Sequence, residues 1–123
     1  MRIPVPTEAQ EQETLFRWAA VMTAKWPEMR LLHAIPNGGS RHPIEAARLK
    51  AQGVKAGIPD IFLPVARGKA HGLYIEMKRR KGGRLSEEQI IMIGWLRQQG
   101  YRVEVCKGFD EARDVIMEYM EAT

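Results

Sequence analysis

Apolar residues recur at helical spacing early in the chain, at Leu15, Trp18, Ala19 and Met22, which marks one face of a helix. Thr7 stands where that helix needs a cap. Glu8, Glu11 and Glu13 crowd its first two turns, where the backbone dipole favours anions. Pro27 stops the run, so the pattern predicts a helix over about 7–25. Leu31 to Ile35 is a short apolar run that predicts a strand, and Pro36-Asn37-Gly38-Gly39-Ser40 then breaks regular structure. Pro43 suits the first turn of a second, short helix over about 43–52, ending near Gly53. Two strands follow, Asp60 to Val65 and Leu73 to Lys78, separated by a turn-like stretch with Gly68 and Gly72. Ser86-Glu87-Glu88-Gln89 has the form of a capping box and opens a helix over about 87–99, closed by Gly100. Tyr101 to Cys106 alternates polar and apolar as a strand does, and Asp110 is placed to cap a last helix over about 111–121.

The order is therefore α-β-α-β-β-α-β-α. The strand-helix-strand unit near the end implies a parallel pair with a right-handed crossover. The two strands before it read as an antiparallel hairpin. An α/β fold follows, a mixed β-sheet flanked by helices.

With 123 residues, the chain is expected to form a single domain spanning 1–123. Apolar residues at 45% and charged residues at 28% are ordinary for a water-soluble protein and exclude a disordered chain or a coiled coil. Cys106 is the one cysteine, which excludes an internal disulfide and a cysteine-built zinc site and fits a reducing compartment. No apolar run approaches a bilayer span, and the start of the chain has no signal-peptide core, so a cytoplasmic protein with no membrane partner is expected. Nineteen Lys and Arg against fifteen Asp and Glu give a net charge of +4, a mild basic bias compatible with a phosphate-bearing partner.

The candidate chemistry sits on the hairpin. Asp60 and Glu76 are equally distant in sequence from Gly68, so a turn there brings the two carboxylates nearly opposite one another. Side chains alternate along a strand. Leu73, Ile75 and Met77 share a core face, whereas Tyr74, Glu76 and Lys78 share the other. Two close carboxylates repel unless a proton or cation intervenes, and oxygen ligands suit a hard cation such as Mg2+. Strand spacing alone equally allows a solvated face with a weak Glu–Lys ion pair.

Pro59-Asp60, a gap of fifteen residues, then Glu76-Met77-Lys78 resembles the PD-(D/E)XK nuclease signature. Ile35-Pro36-Asn37-Gly38-Gly39, the run Leu49-Lys50-Ala51-Gln52-Gly53-Val54-Lys55-Ala56-Gly57-Ile58-Pro59-Asp60 and the run His71-Gly72-Leu73-Tyr74-Ile75-Glu76-Met77-Lys78 resemble the virus-type replication-repair nuclease (VRR-NUC) family. Stand-alone members of that family, of about this size, are encoded by bacteriophages. The resemblance implies a restriction-endonuclease-like core with an extra helix after the first strand. It implies that Asp60, Glu76 and the backbone carbonyl of Met77 bind Mg2+ or Mn2+, and that Lys78 positions the attacking water or stabilises the transition state. It also implies a further acid on the first helix. Glu8 fits best, with Gln12 one turn later on the same face, and Glu11 and Glu13 are its rivals. Gln89 matches a polar family position, although the capping box accounts for a Gln there by itself.

Asn37, Gly38, Gly39, Ser40 and Arg41 offer backbone amides and one charge to a phosphate, and a loop needing positive φ explains the glycines as well. Arg79, Arg80, Lys81 and Arg84 follow Lys78 directly and read as contacts to a DNA backbone. The three histidines have no mutual metal-ligand spacing. Trp18, Trp26 and Trp95 are expected in the core, and Cys106 is expected to be inert.

The resemblance thus implies a metal-dependent DNA endonuclease, selective for branched DNA or Holliday junctions, that needs no small-molecule cofactor. A non-catalytic DNA-binding or assembly module with the same fold is the alternative. A two-fold homodimer is expected, because a small chain with one site needs a partner to make two cuts. Ile116, Met117, Tyr119, Met120, Ile91 and Trp95 are the candidate interface.

Overall fold

Thr7 closes both arms of a capping box with Gln10 and starts α1 (Glu8–Met22) in a computed structural model that describes residues 3–36 and 42–123. Leu15 and Ala19 on its apolar stripe are buried. Pro27 does more than end this helix. It occupies the first turn of a short 3-10 helix, Pro27–Leu31, where a residue without N–H costs nothing. That turn takes up Leu31 and shortens the first predicted strand to β1 (His33–Ala34). The other elements are α2 (Pro43–Ala51), β2 (Ile61–Leu63), β3 (Leu73–Lys78), α3 (Glu87–Gln98), β4 (Arg102–Lys107) and α4 (Phe109–Glu121).

The four strands form one sheet in the order β1-β2-β3-β4. The first two pairings are antiparallel and the last is parallel, as a hairpin followed by a crossover through α3 requires. One face carries Ile61, Leu63, Leu73, Ile75, Met77 and Cys106 into a core closed by Leu15 and Ala19 of α1 and by Ala112, Ile116, Tyr119 and Met120 of α4. The Tyr119 hydroxyl donates to the Val65 carbonyl at 2.5 Å, which satisfies the one polar atom that this ring buries. Ile116, Tyr119 and Met120 are thereby core residues of the single chain. They are not available to a second copy, and the interface expected on α4 is corrected accordingly.

Two other expectations change. Asp110 does not cap α4. Gly108 does, at φ +89°, and Asp110 lies in the first turn. Trp95 is 60% exposed on α3 beside exposed Ile90 and Ile91, whereas Trp18 and Trp26 pack against the core. Cys106 is buried, and burial pushes its thiol up to about 12, so it is unreactive. Among the described residues no helix is long and apolar enough to cross a membrane.

Candidate functional site

In the β2–β3 register Ile61 faces Ile75, Phe62 faces Tyr74 and Leu63 faces Leu73. One further step sets Asp60 against Glu76. The Met77 N–H donates to Asp60 Oδ2 at 2.9 Å and ties Asp60 to the end of β3. A strand residue projects its carbonyl toward the same edge as its N–H, so the Met77 oxygen also faces the Asp60 side.

Glu76 lies on the sheet face opposite the main core and is nevertheless 2% exposed. Phe62 and Tyr74 stack on that face with centroids 4.2 Å apart, and Tyr101 meets Tyr74 edge-on at 5.4 Å. This aromatic strip was not foreseen from the sequence. The register-paired Phe62 and Tyr74 are the signal that would have shown it.

The two Glu76 oxygens have different surroundings. Oε2 accepts from Gln89 Nε2 at 3.2 Å and lies 3.6 Å from Lys78 Nζ. Oε1 is buried and has no hydrogen-bond partner among the described residues. Burial pushes the carboxyl up to about 8, the negative charge of Asp60 adds to the rise, and Lys78 opposes it. A buried, partnerless carboxylate oxygen costs about 1–3 kcal/mol or more. An oxygen of this kind also suits a hard cation as a ligand. Among the described residues no three His, Cys, Asp or Glu side chains gather in metal-binding geometry. Two carboxylates and one backbone oxygen form a sparse donor set, which fits a hard divalent cation that retains several waters.

Gln89 reaches Glu76 because of what surrounds it. Ser86 caps α3, and the Gln89 side-chain oxygen accepts from the Ser86 N–H at 2.8 Å. One side chain thus both closes the capping box and reaches Glu76. The loop before Asp60 packs on the same turn. Gly57 has φ +88°, and a Cβ there would stand 2.6 Å from the Glu88 carbonyl oxygen. Only glycine permits this approach, which brings the Asp60 loop against the start of α3.

Glu8 is exposed on the first turn of α1, and its side chain makes no hydrogen bond or ion pair among the described residues. Glu13 is exposed as well. Glu11 is the buried acid, 4% exposed. Its carboxylate accepts from Arg80 Nε at 2.7 Å and from the second guanidinium arm at 3.1 Å, and the Phe109 backbone at the start of α4 also favours its charged form. The Arg80 hydrogen bonds hold its carboxyl below the usual carboxylate range. Arg80 also lies 3.6 Å from Asp110, so its charge is engaged within the protein. Arg79 donates to the Val5 carbonyl at 3.3 Å, and Lys81 and Arg84 are exposed. Asn37, Gly38, Gly39, Ser40 and Arg41 lie outside the described residues.

The family model for the VRR-NUC domain matches residues 5–110. A solved structure described as a VRR_NUC domain protein superposes with a TM-score of 0.83 at 32% identity, covering 98% of this chain and 93% of its own. No curated protein matches the chain. The matched span contains the Asp60, Glu76, Lys78 and Gln89 cluster, and the chain belongs to the VRR-NUC domain family, with its nuclease-type fold.

Proposed function

We propose that the protein is a metal-dependent DNA endonuclease in which Asp60, Glu76 and the Met77 carbonyl hold Mg2+ or Mn2+. The observation that carries this reading is the buried, partnerless Glu76 Oε1 opposite Asp60. A divalent cation bound there supplies Lewis-acid polarisation of the phosphodiester and acidifies its water. Lys78 offers a cation at the edge of the pair, suited to orient the attacking water or to offset charge on the phosphate. Gln89 fixes Glu76 so that Oε1 stays free for a ligand. Arg79, Lys81 and Arg84 offer their charges to the DNA backbone, while Arg80 serves the fold. A cytoplasmic setting suits the single buried thiol.

Branched DNA is the proposed substrate, and a two-fold homodimer is the proposed assembly, since paired cuts on a junction need two sites. Exposed Ile91 and Trp95 on α3 support an interface there. Light scattering at micromolar concentration should give twice the chain mass of 14.0 kDa, and the chain mass alone would refute a stable dimer. The activity is tested on single strands, duplexes, flaps, splayed arms and four-way junctions with Mg2+ or Mn2+ at one salt concentration. Preferential cutting of branched forms is expected. No cleavage of any form with either metal would favour a binding module without catalysis.

A further inference from the structure

α2 has nine residues and buries none of them. A helix this short is marginal in water without tertiary packing, so its surface calls for a partner. That surface is basic. Arg48 and Lys50 lie on α2, Lys55 follows in the next loop, and Glu45 is the only acid of the helix. Among the described residues none of the three cations makes an ion pair or hydrogen bond. Between α2 and residues 54–56 runs a cleft of about 460 Å³, lined by Ala46, Ala47, Lys50, Val54, Lys55 and Ala56. Its small side chains let a bulky chain come close to the two ammonium groups.

We propose that α2 and the loop after it form a second DNA-contacting surface, with Arg48, Lys50 and Lys55 on successive backbone phosphates. This inference rests on the nuclease reading. Its position supports it, because Lys55 stands two residues before Gly57, which packs on the turn carrying Gln89. A nucleic-acid strand lying over α2 is thereby led to the Asp60–Glu76 pair. Charge favours DNA over a second copy of the chain, since a two-fold contact through α2 would set like charges together.

The test is the triple variant Arg48→Gln, Lys50→Gln, Lys55→Gln, with anisotropy of a labelled four-way junction in EDTA over a series of salt concentrations. Affinity should fall, and the slope of log K against log salt should flatten by about one per lost phosphate contact. Amide exchange over 43–56 in the wild type should slow when the junction is added. An unchanged slope with normal wild-type binding would overturn this surface alone. A wild type that binds no DNA would overturn both the surface and the nuclease reading. Altered oligomeric mass with unaltered DNA binding would assign α2 to contacts between copies and overturn the proposal.

Discussion

The Gln89 carboxamide is divided between Ser86 and Glu76, accepting the Ser86 N–H through Oε1 and donating to Glu76 Oε2 through Nε2. The two duties separate by mutation. Ser86→Ala removes the hydroxyl that accepts the Gln89 N–H and should cost about 1 kcal/mol in thermal or urea unfolding with cleavage nearly unchanged. Gln89→Ala removes both arms and should lower cleavage as well as stability. Equal cleavage by the two variants would reduce Gln89 to a capping residue.

Glu76 supplies a pH signature in the metal-free protein. Its folded-state carboxyl is raised to about 8 from an ordinary 4.5, so the folded state holds a proton that the unfolded state releases. Stability should therefore fall as pH rises from about 4.5 to about 8 and then level off, by at most about 1.4 kcal/mol per pH unit from this group. Glu76→Gln should abolish that decline, leaving the variant more stable than wild type at pH 8 and similar near pH 4.5. Unfolding in EDTA across this range measures it. Parallel curves would contradict the buried-carboxyl assignment.

The pairing of Asp60 with Glu76 was legible in the sequence for a partly fortuitous reason. Asp60 and Glu76 are equally distant in sequence from Gly68, which predicts the turn there. The tight turn is centred on Gly68 and Lys69, with Arg67 and Ala70 exchanging backbone bonds. The arm from Pro64 to Ala66 has one residue more than His71 and Gly72 opposite, and the extra residue restores the expected register. Which acid of α1 is buried was harder to read. Glu8 and Glu11 both extend the stripe defined by Leu15, but Glu8 lies a turn beyond the packed surface, and the partner Arg80 is 69 residues away. Trp95 allowed both a core and an interface reading, because helical spacing tells which residues share a face, not whether anything covers it.

Arg80 should behave unlike its neighbours. Arg79→Gln with Lys81→Gln should weaken DNA binding with little effect on unfolding. Arg80→Gln should destabilise the protein, because it leaves the buried Glu11 charge without its principal partner. Gly108→Ala should act in the same direction by about 1–3 kcal/mol, since φ is +89° and a Cβ would stand 2.8 Å from Arg80 Nε. The Glu11 contribution is present above the ordinary carboxylate range and is lost as pH falls below it, because its folded-state carboxyl is depressed. Thermal unfolding beside DNA titration distinguishes these roles, and equal stability of the two glutamine variants would contradict them.

Lys78→Ala should lower cleavage by about 10²–10³ if its charge acts in the transition state, while the sheet stays folded. The Lys78 side chain is 12% exposed, less open than strand alternation alone suggested, so circular dichroism and a melting curve belong in the same experiment. Loss of cooperative unfolding would make Lys78 structural.

The most direct measurement is plasmid nicking by wild type and by Asp60→Asn over a titration of Mn2+, with EDTA as the end point. Wild-type nicking should rise with metal and vanish in EDTA. Asp60→Asn should need far more metal or show no activity, since a neutral amide replaces an anionic ligand at nearly the same shape. Nicking that persists in EDTA, or a metal dependence unchanged by Asp60→Asn, would contradict a catalytic cation held by Asp60 and Glu76.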